Sequence, residues 1–114
     1  MAEYCYVTTT GRRTQRPHRI EIWYADAPSS RVNTIYLLAG GRQRADWVRN
    51  LRADPHCTVE IDGRTYDGTA RVVEGTGEDG IARASVYEKY APTNGDLDGW
   101  RDEALPVAIE LRRV

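Results

Sequence analysis

One stretch near the middle of the chain, residues 36–51, most constrains how this sequence can fold. It begins with an apolar, β-favouring run that stops at Gly40 and Gly41. Asp46 then stands where it can cap a helix, and an apolar stripe follows at helical spacing, formed by Trp47, Val48 and Leu51. The stretch predicts a strand, a glycine turn and a helix over residues 46–53.

The same junction has the chemistry of an anion site. Backbone N–H groups at a glycine turn and at a helix N-terminus carry partial positive charge. Arg42, Arg44 and Arg49 add full charges beside them. The alternative is that the glycines only end a strand and the arginines only solvate a surface.

A second basic element lies in the turn that follows the first strand. Arg12, Arg13 and Arg16 stand within five positions of one another, beside Thr14 and before Pro17. Guanidinium groups bind phosphate and carboxylate well, so this turn is either an anion-binding tip or a solvated hairpin end.

The remaining pattern is mainly β. Strand-like runs cover residues 4–10, 18–25, 34–39, 57–61, 64–73 and 105–111. Asp62-Gly63 between two of them fits a type I′ hairpin turn, and Gly68 marks a bulge or corner. Residues 78–90 have helical composition, residues 91–99 read as a polar loop, and residues 26–33 as a hairpin loop. We therefore expect one α+β domain over residues 1–114, a split β-barrel of about six antiparallel strands with one short inserted helix and one helix in the C-terminal half.

Because side chains alternate along a strand, Trp23 lies on the other face from Ile20 and Ile22. Such an aromatic is exposed unless a flat ligand or a partner chain covers it, which suggests a homodimer. The alternative is ordinary cross-strand packing.

Composition narrows the function classes. The first half of the chain is rich in arginine and the second half in acids, with a net charge of −1, which favours a local anion site over a nucleic-acid surface. No apolar run reaches membrane-spanning length and no signal pattern opens the chain, so we expect a cytoplasmic protein without stable membrane insertion. Cys5 and Cys57 are expected to be reduced core residues, and the isolated His18 and His56 give a metal site little support.

Four segments together resemble the deazaflavin-dependent nitroreductase family, which has a split β-barrel fold. They are Thr8-Thr9-Thr10-Gly11-Arg12-Arg13-Thr14-Gln15-Arg16-Pro17, Ile20-Glu21-Ile22-Trp23-Tyr24, Gly40-Gly41 with the helix to Pro55, and residues 59–73. The resemblance covers roughly residues 7–74 with order and spacing kept. It implies that a reduced 5-deazaflavin, coenzyme F-420, passes a hydride to a small electron-poor acceptor such as a quinone, an enone or a nitro compound.

The resemblance and the charge argument select one set of cofactor-binding residues. These are Arg12, Arg13, Thr14, Arg16, His18, Trp23, Leu38, Ala39, Gly40, Gly41, Arg42, Arg44, Asp46, Trp47, Arg49 and Asn50. The loose counterparts of the family's substrate-covering aromatics are Trp23, Tyr87, Tyr90 and Trp100. If a proton must be delivered, Tyr24, Tyr66 or water is the donor.

The chain departs from the family at two positions. Leu38-Ala39 replaces a polar Ser-Lys pair, and Glu21 replaces a proline. Two alternatives therefore stay open: a non-catalytic F-420 carrier of the same fold, and a groove occupied by FMN or an apolar ligand such as a lipid.

Overall fold

A computed structural model describes residues 3–28 and 33–114 of the chain, so part of the expected hairpin loop at 26–33 lies outside the described residues. The elements in order are β1 (Tyr4–Thr10), β2 (Pro17–Trp23), β3 (Ala25–Asp26), β4 (Thr34–Ala39), a 3₁₀ turn (Arg42–Arg44), α1 (Asp46–Ala53), β5 (His56–Ile61), β6 (Arg64–Val72), α2 (Asp79–Asn94), α3 (Asp98–Glu103) and β7 (Leu105–Arg113).

The strands form one antiparallel sheet that curls into a half-barrel. Its order is β2-β1-β5-β6-β7-β4-β3. The two edge strands, β2 and β3, are consecutive in the chain and separated only by Tyr24. The sheet must therefore bend round until its edges meet at Tyr24, which agrees with the predicted split barrel.

The prediction of six strands was wrong by one, because the run at residues 18–25 divides at Tyr24. Before this residue the strand pairs with β1, and after it with β4. Because of this division, the backbone N–H and carbonyl groups of Tyr24 have no hydrogen-bond partner in the sheet. Side chains from α2 form those hydrogen bonds instead. The Tyr90 hydroxyl accepts a hydrogen bond from Tyr24 N–H at 3.0 Å, and Lys89 Nζ donates to the Tyr24 carbonyl at 2.7 Å.

The main core fills the barrel. It contains Cys5, Val7, Tyr24, Ile35, Leu37, Ala39, Val59, Leu105, Val107 and Ile109 from the strands, together with Trp47, Val48 and Leu51 from α1. The predicted apolar stripe of α1 therefore packs into the barrel, and the predicted helix bounds are confirmed.

A second core lies on the outer face of β4 and β7. Ala82, Val86 and Tyr90 of α2 pack there against Tyr36, Leu38 and Ala108. The helix predicted for residues 78–90 exists, but it continues through Pro92 to Asn94. The polar loop expected at residues 91–99 is shorter at both ends, because α2 continues to Asn94 and α3 begins at Asp98.

The chain itself covers Trp23. The Tyr90 ring stacks on the indole with centroids 4.2 Å apart and planes 4° apart, and Trp100 meets it edge-on at 5.7 Å. The reason given for a homodimer, an uncovered Trp23, therefore does not hold, and dimerisation stays a prediction.

The predicted hairpin turn is confirmed by its geometry. Asp62 and Gly63 both have positive φ, 52° and 79°, as a type I′ turn requires. The bulge expected at Gly68 is not found, because the residue continues the regular pairing of β6 with β5 and β7. Glycine is needed there for packing, since an added Cβ would lie 2.7 Å from Ile109 Cγ2 and 2.9 Å from Cys57 Sγ.

We predict that Gly68→Ala lowers the free energy of unfolding by about 1–3 kcal/mol, since the new methyl group overpacks the barrel wall. Urea denaturation measures this. Gly80→Ala is the matched control, because a Cβ at this α2 position meets no atom within 4 Å. It should leave stability within about 0.5 kcal/mol, and an equal loss in both variants would contradict the packing argument.

Both cysteines are free thiols, as expected. Burial raises the pKa of Cys5 to about 12 and that of Cys57 to about 11, from an ordinary value of 9.0. Folding therefore favours the protonated thiols. Their contribution to stability is complete below pH 9 and is lost progressively as the pH rises towards 11–12.

We accordingly predict that the thermal unfolding midpoint falls more steeply above pH 9 in the wild-type chain than in a Cys5→Ala/Cys57→Ala variant. Differential scanning calorimetry at pH 7.5 and 9.5 makes the comparison. Identical pH profiles for the two proteins would show that the thiols do not titrate on unfolding.

Candidate functional site

The candidate site lies along the split where β2 and β4 separate. Beyond the pair Ala25 and Tyr36 the two strands take different partners, β1 and β7. Gly40 follows the end of β4 and lies beside α3, with the Trp100 indole nitrogen 3.7 Å from where a Cβ would stand. The segment that leaves Gly40 then runs to α1, which starts at Asp46.

One end of this split is an aromatic groove of about 420 Å³. Its lining consists of Tyr4, Glu21, Ile22, Trp23, Leu97 and Trp100. Tyr4 lies opposite Trp23 in the β1–β2 register, so two strands, the α2–α3 connection and α3 contribute walls. Flat apolar walls of this kind suit a planar ring.

Two of the four predicted substrate-pocket aromatics, Trp23 and Trp100, line this groove. Tyr90 supports it from below by stacking on Trp23. Tyr87 lies elsewhere, since its hydroxyl donates to Asp98 Oδ1 at 2.7 Å and this bond raises its pKa. Tyr87 thus joins α2 to α3.

Sequence reasoning missed Tyr4 and Leu97 as groove residues. Tyr4 opens a strand and is half exposed, and it carries no local signal that it borders a groove. Leu97 is an apolar residue within an otherwise polar stretch, and that contrast was the available signal.

The other end of the split is the basic turn. The turn follows Thr10, at the opposite end of β1 from Tyr4, so the two sites lie roughly 20 Å apart at the usual rise per strand residue. Gly11 N–H donates to the Arg16 carbonyl and Gln15 N–H to the Gly11 carbonyl, both at 2.8 Å. Thr14 Oγ1 accepts from Arg16 N–H at 3.2 Å, so Thr14 shapes the turn.

Arg12 fastens this turn to α1. Its Nη1 donates to Asn50 Oδ1 at 2.9 Å, its backbone N–H to the same oxygen at 3.2 Å, and its Nη2 to Asp46 Oδ1 at 3.3 Å. Asn50 is buried, and its side chain also donates a hydrogen bond to Thr9 Oγ1 at 3.0 Å, which connects α1 to β1. The structure thus brings together three predicted residues, although Asp46 already offsets the charge of Arg12.

The expectation that Asp46 caps α1 was wrong. Asp46 is the first residue of the helix, the N-cap is Ala45, and no side chain caps the N-terminus. The first-turn N–H groups consequently point out of the helix end without a side-chain acceptor. Exposed basic side chains nearby, those of Arg13, Arg16 and Arg44, make no hydrogen bond or ion pair within residues 3–28 and 33–114.

Arg42 and Arg49, in contrast, form hydrogen bonds within the protein. Arg42 has a left-handed backbone with φ 53°, and its guanidinium binds the Glu74 carboxylate at 2.6 Å and the Glu103 carbonyl at 2.5 Å. It therefore braces α3 and the end of β6. Arg49 Nε donates to the Gln43 carbonyl at 3.2 Å and closes the 3₁₀ turn onto α1.

Several predicted cofactor-binding residues have buried side chains or are glycines, so a ligand can contact only their backbone or the edge of a side chain. Trp47 and Ala39 belong to the barrel core, and Leu38 belongs to the outer core. Gly40 and Gly41 are exposed at the turn between groove and helix, and His18 is exposed on β2.

The two candidate proton donors do not line the groove. Tyr24 is buried in the barrel core, and burial raises its pKa to about 12. Tyr66 lies on β6 between Val59 and Arg113, in a different part of the sheet. Neither tyrosine is placed by the structure to reach a molecule held against Trp23.

The arrangement can position a long ligand that has a planar apolar end and an anionic end. Guanidinium groups and helix N–H groups at one end suit phosphate or carboxylate, and aromatic walls at the other suit a ring system. Among the described residues, no group of three or more His, Cys, Asp or Glu side chains is arranged to hold a metal ion. None of the described helices has the length and apolarity to cross a bilayer.

Comparison with solved structures supports the fold. An F420-H2 dependent reductase, FDR-A, aligns with 96% of this chain and 94% of its own at 22% identity and a TM-score of 0.73. The heme storage protein HutZ from Vibrio cholerae aligns with 99% of this chain and 84% of its own at 15% identity and a TM-score of 0.74. A protein described as a pyridoxamine 5′-phosphate oxidase from Listeria innocua aligns with 97% of this chain and 85% of its own at 13% identity and a TM-score of 0.66.

The sequence itself identifies the family. The profile that describes F420H(2)-dependent quinone reductases matches residues 1–112, which is nearly the whole chain and includes both the basic turn and the aromatic groove. This chain belongs to the F420H(2)-dependent quinone reductase family.

Proposed function

We propose that this protein is an F-420-dependent oxidoreductase that passes a hydride from the reduced coenzyme to a small, planar, electron-poor acceptor, such as a quinone, an enone or a nitro compound. The family supports the coenzyme and the reaction class. The observation that carries the proposal is a split with an aromatic groove at one end and, at the other, arginines that form no ion pair with the residues that the structure describes.

The basic end is the proposed site for the phosphate and acidic tail of the coenzyme. Arg13 and Arg16 of the turn face solvent, and Arg44 precedes the uncapped start of α1. Arg12 and Asn50 act on this site indirectly, because their hydrogen bonds hold the turn against the helix. In this assignment Thr14 also has a structural role.

The groove end is the proposed site of chemistry. The deazaflavin ring supplies the hydride when the coenzyme is bound. The chain supplies placement: Gly40 and Gly41 offer exposed backbone, Trp23 and Trp100 offer flat walls, and Tyr90 fixes the orientation of Trp23. Among the described lining residues of the groove, Tyr4 carries the only hydroxyl, and water from the open groove is a further source of a proton.

A non-catalytic carrier is the second candidate, and one observation favours it. Leu38 and Ala39 stand where many relatives have a polar pair, and both side chains are buried in apolar cores. FMN is the alternative ligand, consistent with the structural likeness to the oxidase from Listeria innocua.

We predict that an Arg13→Ala/Arg16→Ala variant binds coenzyme F-420 about 5- to 50-fold more weakly than wild type at low ionic strength, because two full charges leave the tail site. Fluorescence titration at 20 and about 300 mM salt measures it, and the difference should shrink at high salt as charges are screened. A parallel titration with FMN establishes which cofactor is preferred.

The matched control is Arg64→Ala/Arg113→Ala, which removes the same charge from exposed positions at the β6–β7 end of the sheet. It should bind the coenzyme like wild type. Equal weakening in both double variants would mean that net charge matters and the turn does not. Wild-type binding without oxidation of the reduced coenzyme by any acceptor would favour the carrier.

A further inference from the structure

The aromatic groove contains one charged side chain among its lining residues, that of Glu21. Glu21 lies two positions before Trp23 on β2, so both side chains project from the same face of the sheet. The carboxylate is exposed, whereas the remaining lining residues are aromatic or aliphatic. A ligand that contacts Trp23 therefore lies within reach of a negative charge.

Further acids are neighbours in the chain of two lining residues. Glu3 precedes the lining residue Tyr4, and Asp96 and Asp98 flank the lining residue Leu97. The carboxylate of Asp98 accepts a hydrogen bond from Tyr87, a neutral donor, and lies 3.9 Å from Arg101. Arg101 thus partly offsets Asp98, and Glu21 is the one carboxylate among the described lining residues of the groove.

The basic side chains near the groove are already engaged. Arg101 pairs with Asp102 at 2.9 Å, and Arg19 of β2 pairs with Glu60 at 3.5 Å. Lys89 Nζ donates to the Tyr24 carbonyl and lies 3.7 Å from the centroid of the Tyr24 ring. None of these cations is a described lining residue of the groove, so its local charge is negative.

We propose that Glu21 is a specificity-determining residue, and that the groove accepts uncharged or cationic planar acceptors and excludes anionic ones. The physical reason is that an anion beside Trp23 meets the Glu21 carboxylate, and none of the described lining residues of the groove carries a positive charge to offset it. This inference rests on the proposed function and narrows its substrate class. The opposite charges at the two ends of the split also set the orientation of the coenzyme. Its anionic tail binds at the basic turn, and the acceptor binds at the groove beside Glu21.

The test uses three nitroarenes that differ in charge: nitrobenzene, its 4-sulfonate and its 4-trimethylammonium derivative. Nitroarenes quench indole fluorescence, and Trp23 and Trp100 line the groove, so saturable quenching reports binding without any coenzyme. At low salt we expect wild type to bind the sulfonate at least threefold more weakly than nitrobenzene, and to bind the ammonium compound at least as tightly as nitrobenzene.

Glu21→Gln should strengthen sulfonate binding about three- to tenfold, weaken ammonium binding and leave nitrobenzene unchanged. Glu88→Gln is the control, because it removes the same charge from an exposed position of α2 outside the groove lining. It should alter none of the three affinities by more than about twofold.

The inference is overturned if wild type binds the sulfonate as tightly as nitrobenzene, if Glu21→Gln and Glu88→Gln have the same effect, or if none of the probes binds saturably. These outcomes are independent of the coenzyme titration at the basic turn. A protein that binds F-420 yet fails here keeps the proposed function and loses the assigned substrate class.

Discussion

The division of one strand at Tyr24 is the constraint on which the barrel and the site both depend. A strand that pairs with β1 and then with β4 forces the sheet to curl, but the peptide at the division has no ladder partners. Buried backbone polar groups without partners are strongly unfavourable. Tyr90 and Lys89 of α2 supply those partners, with Tyr90 Oη 2.9 Å from the Tyr24 carbonyl oxygen. Closure of the barrel thus requires α2 on its outer face.

The same contact sets the geometry of the groove. Tyr90 binds the Tyr24 backbone through its hydroxyl and stacks on Trp23 through its ring. Trp100 then packs edge-on against Trp23 and lies beside Gly40. One tyrosine therefore links the strand division, the groove wall and the start of the segment that leads to α1. A shift of α2 would move the wall and the division together, so the groove has a rigid side.

What the sequence predicted well was local. The helix Asp46–Ala53 follows from apolar spacing and the proline at 55, and the turn at Asp62 and Gly63 follows from φ preferences of those two residues. Both signals lie within a few positions of the element that they specify. The strands were likewise recognised from alternation, although no local signal marks where a strand changes its partner.

The sequence did not predict contacts between residues far apart in the chain, or a helix too short to show a pattern. The cover over Trp23 comes from Tyr90 and Trp100, far along the chain, so its exposure could not be judged from β alternation. The α3 helix is short and carries no buried residue, which leaves no periodic apolar pattern to detect. Charge counting also treated all arginines alike. The structure separates Arg12 and Arg42, which hold the fold together, from Arg13, Arg16 and Arg44, which face solvent.

The position of Leu38 and Ala39 bears on how this chain would catalyse hydride transfer. Leu38 packs under α2, and Ala39 points into the barrel. A polar pair at these positions would bury groups that need hydrogen-bond partners, and a lysine would bury a charge. With α2 and α3 packed as they are, apolar residues are the ones that fit. If the proposed function holds, the groups at the strand end that remain to stabilise charge on a bound ring are the exposed backbone of Gly40 and Gly41 and the field of the helix start beyond them, because the side chains of Leu38 and Ala39 are apolar.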